Sequence, residues 1–332
     1  MILPPKGRSD VIKFIITSRS FRDMMNYSTC NIAAMVALTA SALQFEVVNV
    51  EQVPTGDNAM TFHPRFMPDG KLLVSAQNYD GLALIDVKSG EYTLLTEMQG
   101  AGYYAVISKD GKSIRTRNMN KETFTHDIYV LDVESKALKT VAKEVDYLNQ
   151  MNFNGGVATL AVEGKTMSKK MVDDKASKAS LDDLLITEED LKIVVYANGN
   201  RTVLDPLAGQ LGNWDPQYTW TSLSPDKSRI LFGCAGDAYV CNLDGSNVVK
   251  LGDLRSPSWR GNTHVVGMRD EDDGYYYTKS DIVIVDVTGN NYQQLTTSSD
   301  EIKMFPSVSA DGSKIAYHTS DGKIYVMTIK EK

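Results

Sequence analysis

The stretch FPSVSADGSKIAYHTSDGKIYVM, residues 305–327, decides the fold. Short apolar strands alternate there with two turns that each carry Asp-Gly, at Asp311-Gly312 and Asp321-Gly322. Asp-Gly suits a tight turn between antiparallel strands, because both central residues need a positive φ that Gly, Asn and Asp tolerate best. The stretch is a hairpin-rich unit.

The same pattern recurs along the chain. Related turns read MPDGK at 67–71, SKDGK at 108–112, NFNGG at 152–156, SPDKS at 224–228, WRGNT at 259–263 and SADGS at 309–313. Each is followed by an apolar partner strand: LALIDV at 82–87, IYVLDV at 128–133, KIVVYA at 192–197, AYVCNL at 238–243, IVIVDV at 282–287 and KIYVMT at 323–328. Asp69 and Asp110 lie 41 residues apart, Asp86 and Asp132 lie 46 apart. A pure β repeat of about 40–50 residues marks propeller blades. The pattern predicts an all-β, six-bladed β-propeller in one domain, 43–332, with blades over 60–97, 101–143, 145–205, 216–252, 255–297 and 303–332.

Outer strands follow in YTLLT (92–96), LKTVA (138–142) and YQQLTT (292–297), but the sixth repeat stops at Lys332 after its third strand. An open blade edge is a liability. The segment LQFEVVNV (43–50), within 43–56, alternates like a strand and is expected to supply the last blade's outer strand, closing the ring. Residues 165–190 interrupt the third repeat with five lysines, seven acids and no aromatics, the composition of an exposed excursion, in which Ser180 is placed to cap a short helix.

Ahead of these repeats, IAAMVALTASA (32–42) follows Lys6, Arg8, Lys13, Arg19 and Arg22 and ends in Ala40-Ser41-Ala42. This reads as a secretory signal, residues 1–42, with Met24 or Met25 as an alternative start. The apolar run is too short for a membrane span. Cys30 precedes the run, where a lipoprotein anchor needs Cys after it. The mature chain is expected to be soluble, periplasmic or secreted, and monomeric. Removing residues 1–42 takes the formal charge from −7 to −10, which argues against nucleic acid or anionic lipid as partner.

The phrases FMPDGKLLV, SPDKSRILF and FPSVSADGSKIAYHTSDGKIYVM resemble the repeats of the TolB-like propeller family, over residues 60–332. The likeness is strongest to small stand-alone secreted propellers of Bacteroidetes-type bacteria. It implies a six-bladed propeller in the cell envelope or outside the cell. Such repeats also occur in peptidase propeller domains and pectin-fragment lyases, so the motifs specify fold and leave function open. A true TolB carries an α/β domain before its propeller, where this sequence has 42 residues and one strand.

No G-x-S-x-G nucleophile elbow occurs, and propeller repeats run to the C-terminus. His63, His126, His264 and His318 fall at different repeat positions, hence at different radii, so a three-histidine metal site is not expected and no cofactor is implied. Asp270 and Asp272, in the run 270–274, are weak candidates for Ca²⁺ ligands; the other reading is a solvated loop tip closed by Gly274. Cys234 and Cys241 lie on adjacent strands of repeat four, either as a disulfide or as two packed thiols.

Aromatic residues stand where inner strands begin: Phe62 and His63, Tyr103 and Tyr104, Tyr147, Tyr218 and Trp220, and Phe305. With Arg65 and Trp214 they are candidates to line a funnel that stacks on a sugar or a peptide segment; the competing reading is packing between blades. The sequence thus points to a binding or scaffold propeller whose partner is an envelope or extracellular protein or glycan. An oligosaccharide lyase or hydrolase at the channel mouth and a Tol-Pal-type envelope component are the alternatives.

Overall fold

The structure is a computed structural model that describes residues 44–58, 60–145, 151–154, 157–162, 166–171, 184–197, 200–297 and 301–332. Among the described residues there is no helix. Chain order begins with β1 (Phe45–Gln52), followed by a first sheet of β2 (Phe62–Phe66), β3 (Leu72–Ser75), β4 (Leu82–Ile85) and β5 (Tyr92–Thr96). A second sheet holds β6 (Val106–Ile107), β7 (Ser113–Met119), β8 (His126–Asp132) and β9 (Leu138–Val145). Two three-stranded sheets come next: β10 (Met151–Asn154), β11 (Val157–Val162) and β12 (Thr166–Met171), then β13 (Leu185–Glu189), β14 (Lys192–Ala197) and β15 (Asn200–Leu204).

Then follow a sheet of β16 (Tyr218–Leu223), β17 (Arg229–Cys234), β18 (Asp237–Asn242) and β19 (Val249–Gly252), and one of β20 (Arg255–Arg260), β21 (His264–Asp272), β22 (Tyr277–Asp286) and β23 (Tyr292–Gln294). The last sheet contains β24 (Lys303–Val308), β25 (Lys314–Thr319) and β26 (Ile324–Glu331), with β1 antiparallel on β26 from Phe45↔Glu331 to Gln52↔Tyr325.

The all-β propeller reading holds, and five of the six repeat units carry one sheet each among the described residues. The third unit differs inside. Where the sequence reads one blade interrupted by a charged excursion, 145–205 carries two sheets, and 165–190 includes β12 and β13. Leu185 and Ile186 in β13 are buried, which is why the tail of that charged segment joins a sheet. Ser180 and its expected helix cap lie outside the described residues, as does the leader 1–42.

The Ser-x-Asp-Gly turns share one geometry. Ser108, Ser224 and Ser309 each donate a hydroxyl hydrogen bond to the aspartate two residues on, at 2.7, 2.6 and 2.6 Å. Each hydroxyl also accepts from the backbone N–H five residues on. These bonds hold Asp110, Asp226 and Asp311 below the usual carboxylate range. The turn is not the mirror-image type expected from Asp-Gly, because the Gly alone is left-handed: Gly111 and Gly312 both have φ of 72°. In the fourth unit Lys227 takes that place at φ 59°.

Apolar faces meet between neighbouring sheets. Leu73 and Leu82 of the first sheet pack on Ile114 and Leu131 of the second, and Leu231 and Val240 pack on Val265 and Val283. The last sheet meets the first through Ala316 and Val326 against Leu72 and Val74. Cys234 pairs with Asp237 and Cys241 with Ile230, so the two buried thiols are out of register and free, as the packed-thiol reading requires. The hairpin turn sits on Ala235-Gly236, both left-handed.

Two outcomes test this packing. Phe45 is 2% exposed in the last core cluster, with Arg260 stacked over its ring at 4.5 Å. Phe45→Ala should cost about 3–5 kcal/mol in chemical denaturation. Lys227→Gly, which removes Cβ strain from a left-handed turn, should gain about 0.5–1 kcal/mol in the same assay.

Candidate binding site at the channel mouth

In a propeller the first strand of each sheet lines the central channel. Here those strands share a bulge. From Phe62 to Arg65 β2 advances three residues while β3 advances two, Ser75 to Leu73. The same slip occurs at Thr219/Ser222, Arg255/Ser258 and Met304/Ser307. The extra residue is left-handed in every case: His63 at φ 54°, Trp220 at 54°, Ser256 at 47° and Phe305 at 51°. Tyr104, at 50°, stands two residues before Val106 as His63 does before Arg65. A left-handed non-glycine residue costs about 1–2 kcal/mol, and a bulge turns its side chain out of the strand's alternation. Proline follows three of them, Pro64, Pro257 and Pro306, where the bulge has no ladder bond for an N–H to make.

Three of the bulge aromatics, His63, Tyr104 and Phe305, join into one cluster. His63 stacks on Tyr79 with ring centroids 3.7 Å apart and meets Phe305 edge-on at 4.9 Å and His318 edge-on at 5.3 Å. His318 stacks on Phe305 and touches Phe62 edge-on. On the other side Tyr79 meets Tyr103, which meets Tyr104 at 4.5 Å. The Tyr104 hydroxyl donates to Glu188 of β13 at 3.3 Å, and Glu188 accepts from the Thr221 N–H and hydroxyl of β16. This continuous contact runs from the last sheet through the first two to the third and fourth units. Burial is the main cause that raises Tyr79, and Tyr277 of the long β21–β22 hairpin adds a lesser electrostatic push.

Gly102 makes one of these approaches possible. Its N–H donates to the Tyr79 carbonyl, and a Cβ there would lie 2.6 Å from Ser75 Cβ.

Desolvation governs the electrostatics. Burial pulls His63 from 6.5 down to about 3, with the positive charges of His318 and Arg65 adding to the effect. Burial likewise takes His318 from 6.5 to about 4. Its Nδ1 lies 2.9 Å from the Thr319 carbonyl and so carries the proton, leaving a buried Nε2 without a partner among the described residues. Burial raises Tyr79 to about 12 and lifts the Glu188 carboxyl despite its hydrogen bonds. Arg65 donates to the Ala105 carbonyl, and burial lowers it to about 10.

Of the sequence candidates, His63, Arg65, Tyr104 and Phe305 thus come together, and Trp220 occupies the equivalent bulge with its ring over Gly233. Tyr218 does not face the mouth: it is fully buried, its hydroxyl donating to Asp205 at 2.5 Å and accepting from the Leu207 N–H. Trp214 stands 66% exposed on the connection from β15 to β16. Tyr147 lies outside the described residues. The histidines do not all sit at different radii, because the bulge at His63 swings its ring onto His318 at the end of β25. His126 instead contacts Arg117, and His264 packs edge-on against Phe45.

Asp270 faces Arg255 at 3.9 Å, while the Asp272 carboxylate accepts from the Gly274 N–H at the hairpin tip. Among the described residues no group of three His, Cys, Asp or Glu side chains is placed to hold a metal ion. Tyr79, Glu188, His318, Arg115, Arg117 and Tyr277 were not expected at the site. Arg115 left a signal: it takes the strand position held by Leu231 and Ala316 in sister repeats.

No known protein family and no curated protein matches the sequence. Solved structures do match in shape. A chain of a mitotic checkpoint complex aligns at TM-score 0.57 and 12% identity, covering 91% of this chain and 99% of that one. The oligogalacturonate lyase of Vibrio parahaemolyticus aligns at 0.53 and 14%, covering 86% and 97%. These likenesses define the fold class as a β-propeller. TolB from Acinetobacter baumannii aligns at 0.50 and 16%, over 74% of this chain and 56% of that one.

The buried histidines set a pH dependence. A histidine whose folded pKa is depressed leaves stability intact above 6.5 and loses it as pH falls toward the folded value. Unfolding free energy should therefore drop between pH 6.5 and 4 by up to about 1.4 kcal/mol per pH unit for each such histidine. His318→Phe, whose ring fits between Phe62 and Phe305, should reduce that slope in denaturation series across the window.

Proposed function

We propose that this chain is a non-catalytic binding propeller that seats a segment of an envelope or extracellular partner, protein or glycan, at the aromatic mouth of its channel. The observation that carries the reading is the set of five left-handed, non-glycine residues at equivalent positions of the inner strands, four of them bearing rings. Strained backbone held at one place in repeat after repeat is the pattern of a functional surface. Exposed tyrosine adds to it: Tyr103 is 36% exposed beside the cluster, and Tyr275 and Tyr276 at the hairpin tip are 86% and 77% exposed. Aromatic side chains with a polar tip suit such a surface because they contribute area with little conformational entropy.

The reading places the protein in the periplasm or outside the cell, with residues 1–42 as a cleaved leader and the mature chain a monomer. The leader-like sequence and the shape shared with TolB support this. Among the described residues no helix is long and apolar enough to cross a membrane.

A photo-cross-linking residue placed at Tyr103 in the full chain, expressed in cells, tests the proposal. One dominant adduct should form, and Tyr104→Ala or Trp220→Ala should reduce it by about tenfold or more, the loss expected of an aromatic anchor. Absence of any adduct, or an adduct indifferent to both variants, sinks the reading. Release of unsaturated products from an oligouronide by the purified chain would favour the lyase alternative instead.

A further inference from the structure

Arg115 of β7 is fully buried, and none of its three guanidinium nitrogens has a hydrogen-bond partner among the described residues. Its neighbour Ile114 packs on the first sheet, so by strand alternation Arg115 faces the opposite side, toward the third unit. It pairs across the ladder with Val106, next to Ala105, whose carbonyl accepts from Arg65. Arg117, two residues further along β7, donates to the Gly100 carbonyl and lies over the Tyr103 ring.

Three arginines therefore meet behind the mouth. Burial, with the charges of Arg117 and Arg65 adding to it, lowers Arg115 to about 9; a guanidinium stays protonated at neutral pH, so all three are cations. The acceptors that Arg65 and Arg117 reach are carbonyls and a histidine ring, and among the described residues no salt bridge joins any of the three to a carboxylate. Asp80 acts electrostatically on Arg117, but a fully buried cation such as Arg115 with no counter-charge bonded to it among the described residues is costly. The concentration of positive charge is the more notable in a chain of net charge −7.

We propose that Arg65, backed by Arg115 and Arg117, forms an anion subsite in the channel that takes a carboxylate or phosphate oxyanion carried by the ligand. The guanidinium fork matches either group in geometry, and Arg117 lies over the ring of Tyr103, which meets Tyr79 and through it His63. The inference rests on the binding reading above and adds the chemistry of the group that is bound.

Free oxyanions test the subsite independently of any partner. Thermal melting of the full chain is followed in acetate and in inorganic phosphate against chloride at constant ionic strength. At least one oxyanion should raise the melting temperature saturably, and which one does so identifies the source of the charge. Arg65→Gln should weaken that effect by about ten- to a hundredfold, the loss of a charge-assisted bond. Arg115→Met should weaken it too, yet raise the melting temperature in chloride, because it removes an uncompensated buried charge. The subsite is refuted if neither oxyanion shifts melting beyond chloride or if Arg65→Gln leaves the shift intact. It is equally refuted if Arg115→Met lowers the chloride melting temperature, which would reveal an internal partner. Failure here with intact cross-linking from Tyr103 would remove the anion and leave the aromatic surface standing.

Discussion

A left-handed residue inserted into the inner strand is the constraint on which the site depends. Without it His63, Trp220 and Phe305 would follow strict strand alternation and enter the wedge between sheets. With it the strand gains one residue, the following positions return to register, and the rings of His63 and Phe305 meet across neighbouring sheets at the mouth. The regular part of each sheet then does the opposite task. Leu73, Leu231 and Ala316, two positions past the slip on the ladder, fill the contact with the next sheet. Packing and presentation are thus separated along a single strand pair.

Charge is separated in a similar way. Aspartates of the Ser-x-Asp turns sit on exposed loops, satisfied by local hydroxyls and N–H groups, and account for part of the acidic surface. The interior beside the channel is cationic, with Arg65, Arg115 and Arg117 close together and with histidines kept neutral by burial. Two carboxylates lie near the cluster: Asp80, which accepts from the Gly100 N–H and acts on Arg117, and Glu188, which its Thr221 bonds tie to the wall.

Much of the fold was legible because turn chemistry is local: Ser-x-Asp-Gly fixes a hairpin without help from the rest of the chain. The split third unit was not legible, since lysines and acids in 165–190 mask strands that only sheet neighbours stabilise. At the site, the aromatic residues where inner strands begin were visible as a series, and His63-Pro64 and Phe305-Pro306 even mark the bulge. Which of them meet was not visible, because a single inserted residue redirects a side chain and strand alternation alone sends it elsewhere. Tyr218 shows the reverse case, an aromatic at the right sequence position whose hydroxyl is held by Asp205 in the core.

The central claim is that the bulge residues are presented at the mouth under strain, and Trp220 tests it most directly because its ring is half-buried over Gly233 and its backbone is left-handed. The measurement is the unfolding free energy of Trp220→Gly against the unaltered chain. Relief of the left-handed strain should offset the lost contacts, leaving the change within about 1 kcal/mol of zero. A loss of about 3–5 kcal/mol, the cost of deleting a packed core aromatic, would contradict the account and make the ring part of the wedge between sheets.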